Sequence, residues 1–228
     1  MEPLEVSVTI RGGFALCSGF GLSGVLDNTI MRDANGLPYI PGTSLKGIVR
    51  EACEELSMVL GHPCFSKVTD EFSLLLEKKK DLNSHAEYSL ITRIFGSPFI
   101  PSAFMFHSAY LHRLDSETAA FVKDTAVWNE SHNSINPYTG TAKTDHLFTL
   151  EVAAGSLDLF KDYKFDFDIV PRKPGEDEKL TSLLICGLLF ADRLGAGKTR
   201  GKGIIEMDIR EPYQGRDKAE WVKQTFPK

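Results

Sequence analysis

The chain lacks most of the features that would place it quickly. Basic residues are not in excess: 26 lysines and arginines stand against 31 aspartates and glutamates, for a formal charge of −5. That excludes a protein coating nucleic acid indiscriminately, because such binding needs many cations to release counterions. Any nucleic-acid site must be local. Cysteine is scarce, and Cys17, Cys53, Cys64 and Cys186 form no Cys-x-x-Cys pair, which points to reduced intracellular thiols. No apolar run approaches the ~18 residues needed to span a bilayer. The opening Met1-Glu2-Pro3-Leu4-Glu5 carries acids where a signal peptide carries cations, so the expectation is a cytoplasmic protein with no membrane partner.

What is present is globular. With 228 residues, 42% hydrophobic and 25% charged, a single domain with large insertions is favoured over two small ones. Leu4, Val6, Val8 and Ile10 alternate with polar residues, predicting a strand over about 4–12. Leu45, Ile48, Val49, Ala52, Cys53, Leu56 and Leu60 recur at helical spacing, predicting a helix over about 43–60 that Gly61 and Pro63 stop. Residues 62–102 read as a helical insertion, its second stretch opened by Ser84 with Glu87 as a capping box.

Strands are expected over 103–112 and 163–170, a helix over 180–194, and a last strand over 203–210 in which Ile205, Met207 and Ile209 alternate with charges. The order spells β-α-β-β-α-β, an α+β core of ferredoxin-like (RRM-like) type. RNA binders, metabolic enzymes and metal chaperones share that fold, so the site must decide. Between the second and third core strands, residues 125–152 hold Asn136-Pro137-Tyr138-Thr139-Gly140 between two strand-like runs, Thr125 to Trp128 and His146 to Val152. A protruding β-hairpin fits, and so long an excursion usually serves binding.

Two segments carry chemistry. Gly195-Ala196-Gly197-Lys198-Thr199-Arg200-Gly201-Lys202-Gly203 packs four glycines and three cations into nine residues without an acid. It is not a Walker loop: Asp192 stands where the first glycine belongs, and the segment runs from helix to strand, the reverse of that motif. What remains is a loop whose glycines allow close approach, whose amides can donate to phosphate, and whose Lys198, Arg200 and Lys202 neutralise charge. The second segment, Tyr39-Ile40-Pro41-Gly42-Thr43-Ser44-Leu45-Lys46-Gly47, leads into the first helix. Thr43 or Ser44 is expected to cap it, with Lys46 and Arg50 one turn apart near the positive end of the dipole, a setting for a phosphodiester.

The run from Pro38 through Gly47 to Arg50 resembles the signature of the RAMP superfamily of CRISPR proteins, and the glycine loop resembles that superfamily's second hallmark. Within it the chain looks most like the repeated backbone subunit of type III effectors, over nearly its whole length. Val25 to Asp33, Arg93-Ile94-Phe95-Gly96-Ser97 and the hairpin around Ile135 to Ala142 add to the likeness. The resemblance implies a subunit that polymerises along a guide (CRISPR) RNA beside other effector subunits, with a hairpin thumb that wedges into the guide–target duplex. Thr43, Ser44, Lys46, Arg50, Gly195, Gly197, Lys198, Arg200, Gly201, Lys202 and Gly203 would then line one RNA trough, with Ile135 or Tyr138 at the thumb tip against a displaced base.

The same resemblance implies cleavage of target RNA dependent on Mg2+ or another divalent cation, and places the family's cleaving aspartate at Asp27, which would also contact the metal. Asp33 competes, but beside Asn35 and Gly36 it is explained as a turn residue bonding its own backbone. No histidine stands early in the chain, where the superfamily's guide-processing enzymes often carry one. His62, His85, His107, His112, His132 and His146 form no catalytic pair, and His62 with Cys64 is too sparse for zinc. Two alternatives stay open: a non-catalytic RNA scaffold of the same complex, and a ferredoxin-like small-molecule enzyme.

Overall fold

The computed structural model describes residues 3–59, 61, 88–98, 100–111, 114–156, 163–173, 178–210 and 223. The helical reading of 62–87, together with His62, Cys64, His85 and His112, lies outside the described residues.

β1 (Leu4–Arg11) buries Leu4, Val6, Val8 and Ile10 on one face, as two-residue alternation requires. It pairs antiparallel with β6 (Phe165–Pro171), Val6 opposite Phe167, and with β7 (Ile204–Ile209), Val8 opposite Met207. β2 (Phe104–Phe106) and β3 (Tyr110–Leu111) both pair antiparallel with β6, so the sheet runs β2-β6-β1-β7 with β3 beside β2. The architecture is mixed α+β with antiparallel sheets. No described helix is long and apolar enough to cross a membrane.

The apolar face of this sheet shares one core with α1 (Gly42–Val59) and α4 (Glu178–Phe190). Every residue of α4 from Leu180 to Leu188 is buried, so this helix is apolar all round rather than amphipathic. The two helices cross closely at Gly187, where an added Cβ would lie 2.2 Å from Cys53 Sγ. The opposite face of the sheet is acidic. Glu5, Asp166, Asp168, Glu206 and Asp208 occupy its alternate positions, with Arg11 bonded to Glu206 at 2.9 Å and Arg210 to Asp166 at 2.8 Å.

Three differences from the sequence reading have local causes. The strand read over 103–112 breaks into β2 and β3 because Ala109 exchanges backbone hydrogen bonds with Ile40, 2.8 and 2.9 Å, instead of continuing along β6. A helix the sequence reading left out, α3 (Ser116–Thr125), precedes the hairpin and is capped by Asp115, whose Oδ1 accepts the Thr118 N–H at 2.6 Å. The hairpin strands β4 (Val127–Ile135) and β5 (Ala142–Ala153) are longer than the two runs that suggested them. They form a separate two-stranded sheet with a register shift between Asn133 and Ile135. The short α2 (Leu90–Phe95) completes the described elements.

Candidate nucleic-acid interface

The signature segment is shaped by a close backbone approach. At Gly42 an added Cβ would sit 2.4 Å from the Phe106 carbonyl oxygen, and the Gly42 N–H donates to Ser108 Oγ at 3.1 Å. Glycine is therefore required where α1 meets the end of β2. The helix is begun by Pro41, whose carbonyl accepts from Ser44 and Leu45 at 2.9 and 3.1 Å. Thr43 and Ser44 thus lie in the first turn and are not the caps expected of them, and Thr43 is exposed.

Lys46 follows one turn on. Partial burial lowers its proton affinity first, then the positive charges of Arg172 and Arg50. No ion pair holds it among the described residues. Arg50 shares this flank of α1 and bonds Glu54 at 2.7 Å. Arg172, at the end of β6, was not singled out in the sequence, because only the fold brings it to Lys46.

The glycine loop serves packing more than ligand contact. Ala196 and Gly203 donate their amides to the carbonyls of Ala15 and Gly13, 2.8 and 2.9 Å. Arg200, Gly201 and Lys202 donate to Gly197, Lys198 and Gly197 within a 3-10 turn over Lys198–Arg200. These five amides are not available to phosphate. Gly195 and Gly203 have positive φ of 80° and 62°, and Cβ atoms there would lie 2.5 Å from the Ala15 oxygen and 1.8 Å from the Leu194 oxygen. Gly197 and Gly201 adopt left-handed backbone on either side of the turn.

Two of the three loop cations are neutralised. Lys198 Nζ bonds Glu51 on α1 at 2.9 Å, and Lys202 Nζ is in close contact with Glu130 on β4. Arg200 is exposed and has no partner among the described residues. Both segments therefore meet at α1, but on different flanks. Glu51 is about 140° around the helix from Lys46 at ~100° per residue, and exposed Gly47 lies between them.

Glu130 is a junction. It accepts the Trp128 indole N–H at 2.9 Å, and His132 Nε2 stands 3.4 Å away with its ring against Phe148. The Lys202 contact, chiefly, holds the Glu130 carboxyl below the ordinary glutamate range. Trp128 also closes over Gly13, where a Cβ would lie 2.9 Å from its ring. The hairpin base, the glycine loop and the segment after β1 are thereby joined.

Asp27 lies at the same base. Its Oδ2 accepts the Thr149 N–H at 2.6 Å, and its own N–H donates back to the Thr149 carbonyl at 3.0 Å. Glu151 holds the following residues, accepting the Ile30 N–H at 2.9 Å and Arg32 Nη2 at 2.7 Å. The Asp27 carboxylate is exposed, and the same loop leaves Phe20, Leu22 and Val25 exposed. Asp33 closes a turn, its Oδ1 accepting from Asn35 and Leu37 at 2.9 and 2.8 Å. At the hairpin tip Asn136 Oδ1 accepts the Tyr138 N–H, leaving Tyr138 95% exposed and Ile135 also exposed.

No group of three or more histidine, cysteine or acidic side chains among the described residues is arranged to hold a metal. At Asp27 the fold offers a single carboxylate with one oxygen already bonded to Thr149. That suits a hydrated Mg2+ whose remaining ligands are phosphate and water, an arrangement this ion favours.

The RAMP superfamily profile matches residues 7–206. The chain belongs to the RAMP superfamily. Two solved structures share its fold: a type III-B Cmr-beta complex bound to cognate target RNA, at TM-score 0.54 and 13% identity over 92% of this chain and 97% of that one, and the apo state of Cmr-beta, at TM-score 0.53 and 12% identity over 92% and 98%. At those identities the likeness is one of fold. A D-alanine–D-alanine ligase of Shewanella sediminis (strain HAW-EB3) is 29% identical over 180 residues, 72% of this RAMP chain. The chain spans 46% of that relative's length.

Proposed function

We propose that this RAMP protein is a guide-RNA-binding backbone subunit of a type III CRISPR effector complex that cleaves bound target RNA, working in the cytoplasm beside copies of itself and other effector subunits. The observation that carries the reading is Lys46, a partly desolvated ammonium beside Arg50 and Arg172 with no carboxylate to balance it among the described residues. A site with uncompensated like charges is completed by an anion, and RNA supplies one at every nucleotide. The fold shared with Cmr-beta subunits, one of them in a complex with target RNA, supports the same placement. The strand order β2-β6-β1-β7 with α1 and α4 on one face supports reading the core as ferredoxin-like, with the β4–β5 hairpin as its thumb.

Lys46, Arg50 and Arg200 are then the cations that touch the guide, and the strand crosses α1 at Gly47, where no side chain stands in its way. Lys198 and Lys202 keep the trough in shape by pairing with Glu51 and Glu130. Tyr138 and Ile135 meet the displaced base. Asp27, fixed to Thr149 beside the thumb, accepts the proton of the 2′-hydroxyl that attacks the neighbouring phosphate in line. A divalent cation at Asp27, shared with phosphate and water, would neutralise developing charge on the phosphate.

The second reading, a non-catalytic scaffold, is favoured by one observation: among the described residues Asp27 stands outside any cluster of histidine, cysteine or acidic side chains. The test is the reconstituted complex carrying Asp27→Ala in every copy. We expect target RNA to bind as before and the regularly spaced cuts to disappear; unchanged cutting removes Asp27 from the chemistry and leaves the scaffold.

A further inference from the structure

Outside the residues assigned above, a cavity of about 120 Å³ opens between the end of α2, residues 101–103 and the end of β6. The described residues lining it carry three cations, Arg93, Arg172 and Lys173, and no acid, with Ser102 and Leu180 completing the wall. The cations are mounted on a fixed frame. The Arg172 N–H donates to the Ala103 carbonyl at 2.8 Å, and the Ala103 N–H donates to the Arg93 carbonyl at 2.9 Å, so three chain segments are stitched side by side. Arg93 stands in the last turn of α2, and Arg172 and Lys173 directly follow β6.

Positive charges converging on a small concavity repel one another and leave it complementary to an anion. Two guanidinium groups provide planar forks, the geometry that matches phosphate oxygens in pairs. The volume is well below the ~300 Å³ of a pocket for an organic ligand, so the cavity suits one charged group on a chain whose bulk lies outside. Arg172 also lies near enough to Lys46 for their charges to oppose each other, which makes the cavity continuous with the cationic flank of α1. A row of cations running from Arg50 past Lys46 and Arg172 to Lys173 and Arg93 matches a polyanion with evenly repeated charge better than a single carboxylate.

We propose that the Arg93–Arg172–Lys173 cavity binds a phosphodiester group of single-stranded RNA and extends the path that begins at Lys46 and Arg50. This rests on the RNA-binding reading above and adds to it a further phosphate position, reached across the end of β6. Arg93 and Arg172 grip the phosphate, and Lys173 adds charge at the mouth.

The test measures binding of fluorescein-labelled single-stranded RNA to the full chain by anisotropy across a potassium chloride series, with self-association followed by light scattering. Arg172 and Lys173 are both exposed, so the Arg172→Ala/Lys173→Ala variant should keep its far-ultraviolet circular dichroism. We expect affinity to fall tenfold or more at low salt, and the slope of log affinity against log salt to shrink by ~0.7 for each phosphate that is no longer neutralised. Lys46→Ala is the comparator. If Lys46→Ala weakens binding while the double variant leaves affinity and slope unchanged, the cavity is not on the RNA path and the broader reading stands. If the double variant loses self-association but binds RNA normally, the cavity takes a carboxylate of another copy and the proposal is overturned. If the unsubstituted chain binds no RNA, the broader reading falls first.

Discussion

Asp27 and Thr149 hold each other by two hydrogen bonds, the carboxylate taking the Thr149 N–H at 2.6 Å and the Asp27 N–H reaching the Thr149 carbonyl at 3.0 Å. The residue proposed to cut RNA is thus also the residue that fixes its loop to the hairpin. An alanine there removes both roles together.

Asparagine separates them. Asp27→Asn keeps an oxygen that can accept the Thr149 N–H and loses the charge. If the role is proton acceptance, Asn fails as completely as Ala, and cleavage falls by about 100-fold or more in single-turnover assays. Recovery of cutting with Asn would mean that the carboxylate only anchors the loop.

Glu151 offers a test of that anchoring without touching the reacting groups. Its side chain is 12% exposed, and its two oxygens serve Arg32, 31% exposed, and the Ile30 N–H. Glu151→Ala leaves both donors unpaired in a partly buried place, so unfolding in urea should show a loss of about 1–3 kcal/mol. RNA affinity should stay close to that of the unsubstituted protein.

The Glu130 junction predicts a pH dependence. The folded carboxyl titrates below the unfolded one, chiefly through Lys202. Its contribution is therefore fully present above the ordinary glutamate range near pH ~4.3, and is lost as pH falls through the lower folded value. Thermal melts of the protein and of Glu130→Gln should differ most near neutrality and converge on acidification. A gap that stays constant with pH would show that the ion pair contributes nothing through titration.

Glycines at two places should respond with opposite sign. Gly203→Ala puts a Cβ 1.8 Å from the Leu194 oxygen at a positive φ of 62°, and should cost more than the ~1 kcal/mol typical of a strained Gly-to-Ala change. Gly47→Ala meets nothing within 4 Å on the exposed side of α1, and should stabilise by roughly 0.5–1 kcal/mol. Urea midpoints measured side by side decide both.

The elements legible in the sequence were those whose cause is local. Strict alternation marked β1 and β7, and helical spacing marked α1. The cap that starts α3 was equally local, Asp115 followed by Thr118, and went unread because the excursion was taken as hairpin throughout. What a linear reading could not supply were partners distant in sequence. Ile40 interrupts the strand after Phe106; Gly13 and Ala15 consume amides of the glycine loop; Glu51 and Glu130 neutralise Lys198 and Lys202. For the same reason Arg172 and Lys173 went unnoticed, since they follow an unremarkable strand and gain meaning only beside Lys46 and Arg93.

The carboxylates on the far side of the sheet give the molecule two unlike surfaces. Glu5, Asp168 and Asp208 repel phosphate where many proteins of this general shape would receive it, so a strand that arrives from solution is steered toward α1 and away from the open sheet. In a row of such subunits every copy would turn its negative side from the nucleic acid, and the polarity of each protomer would set which edge of the assembly carries the RNA.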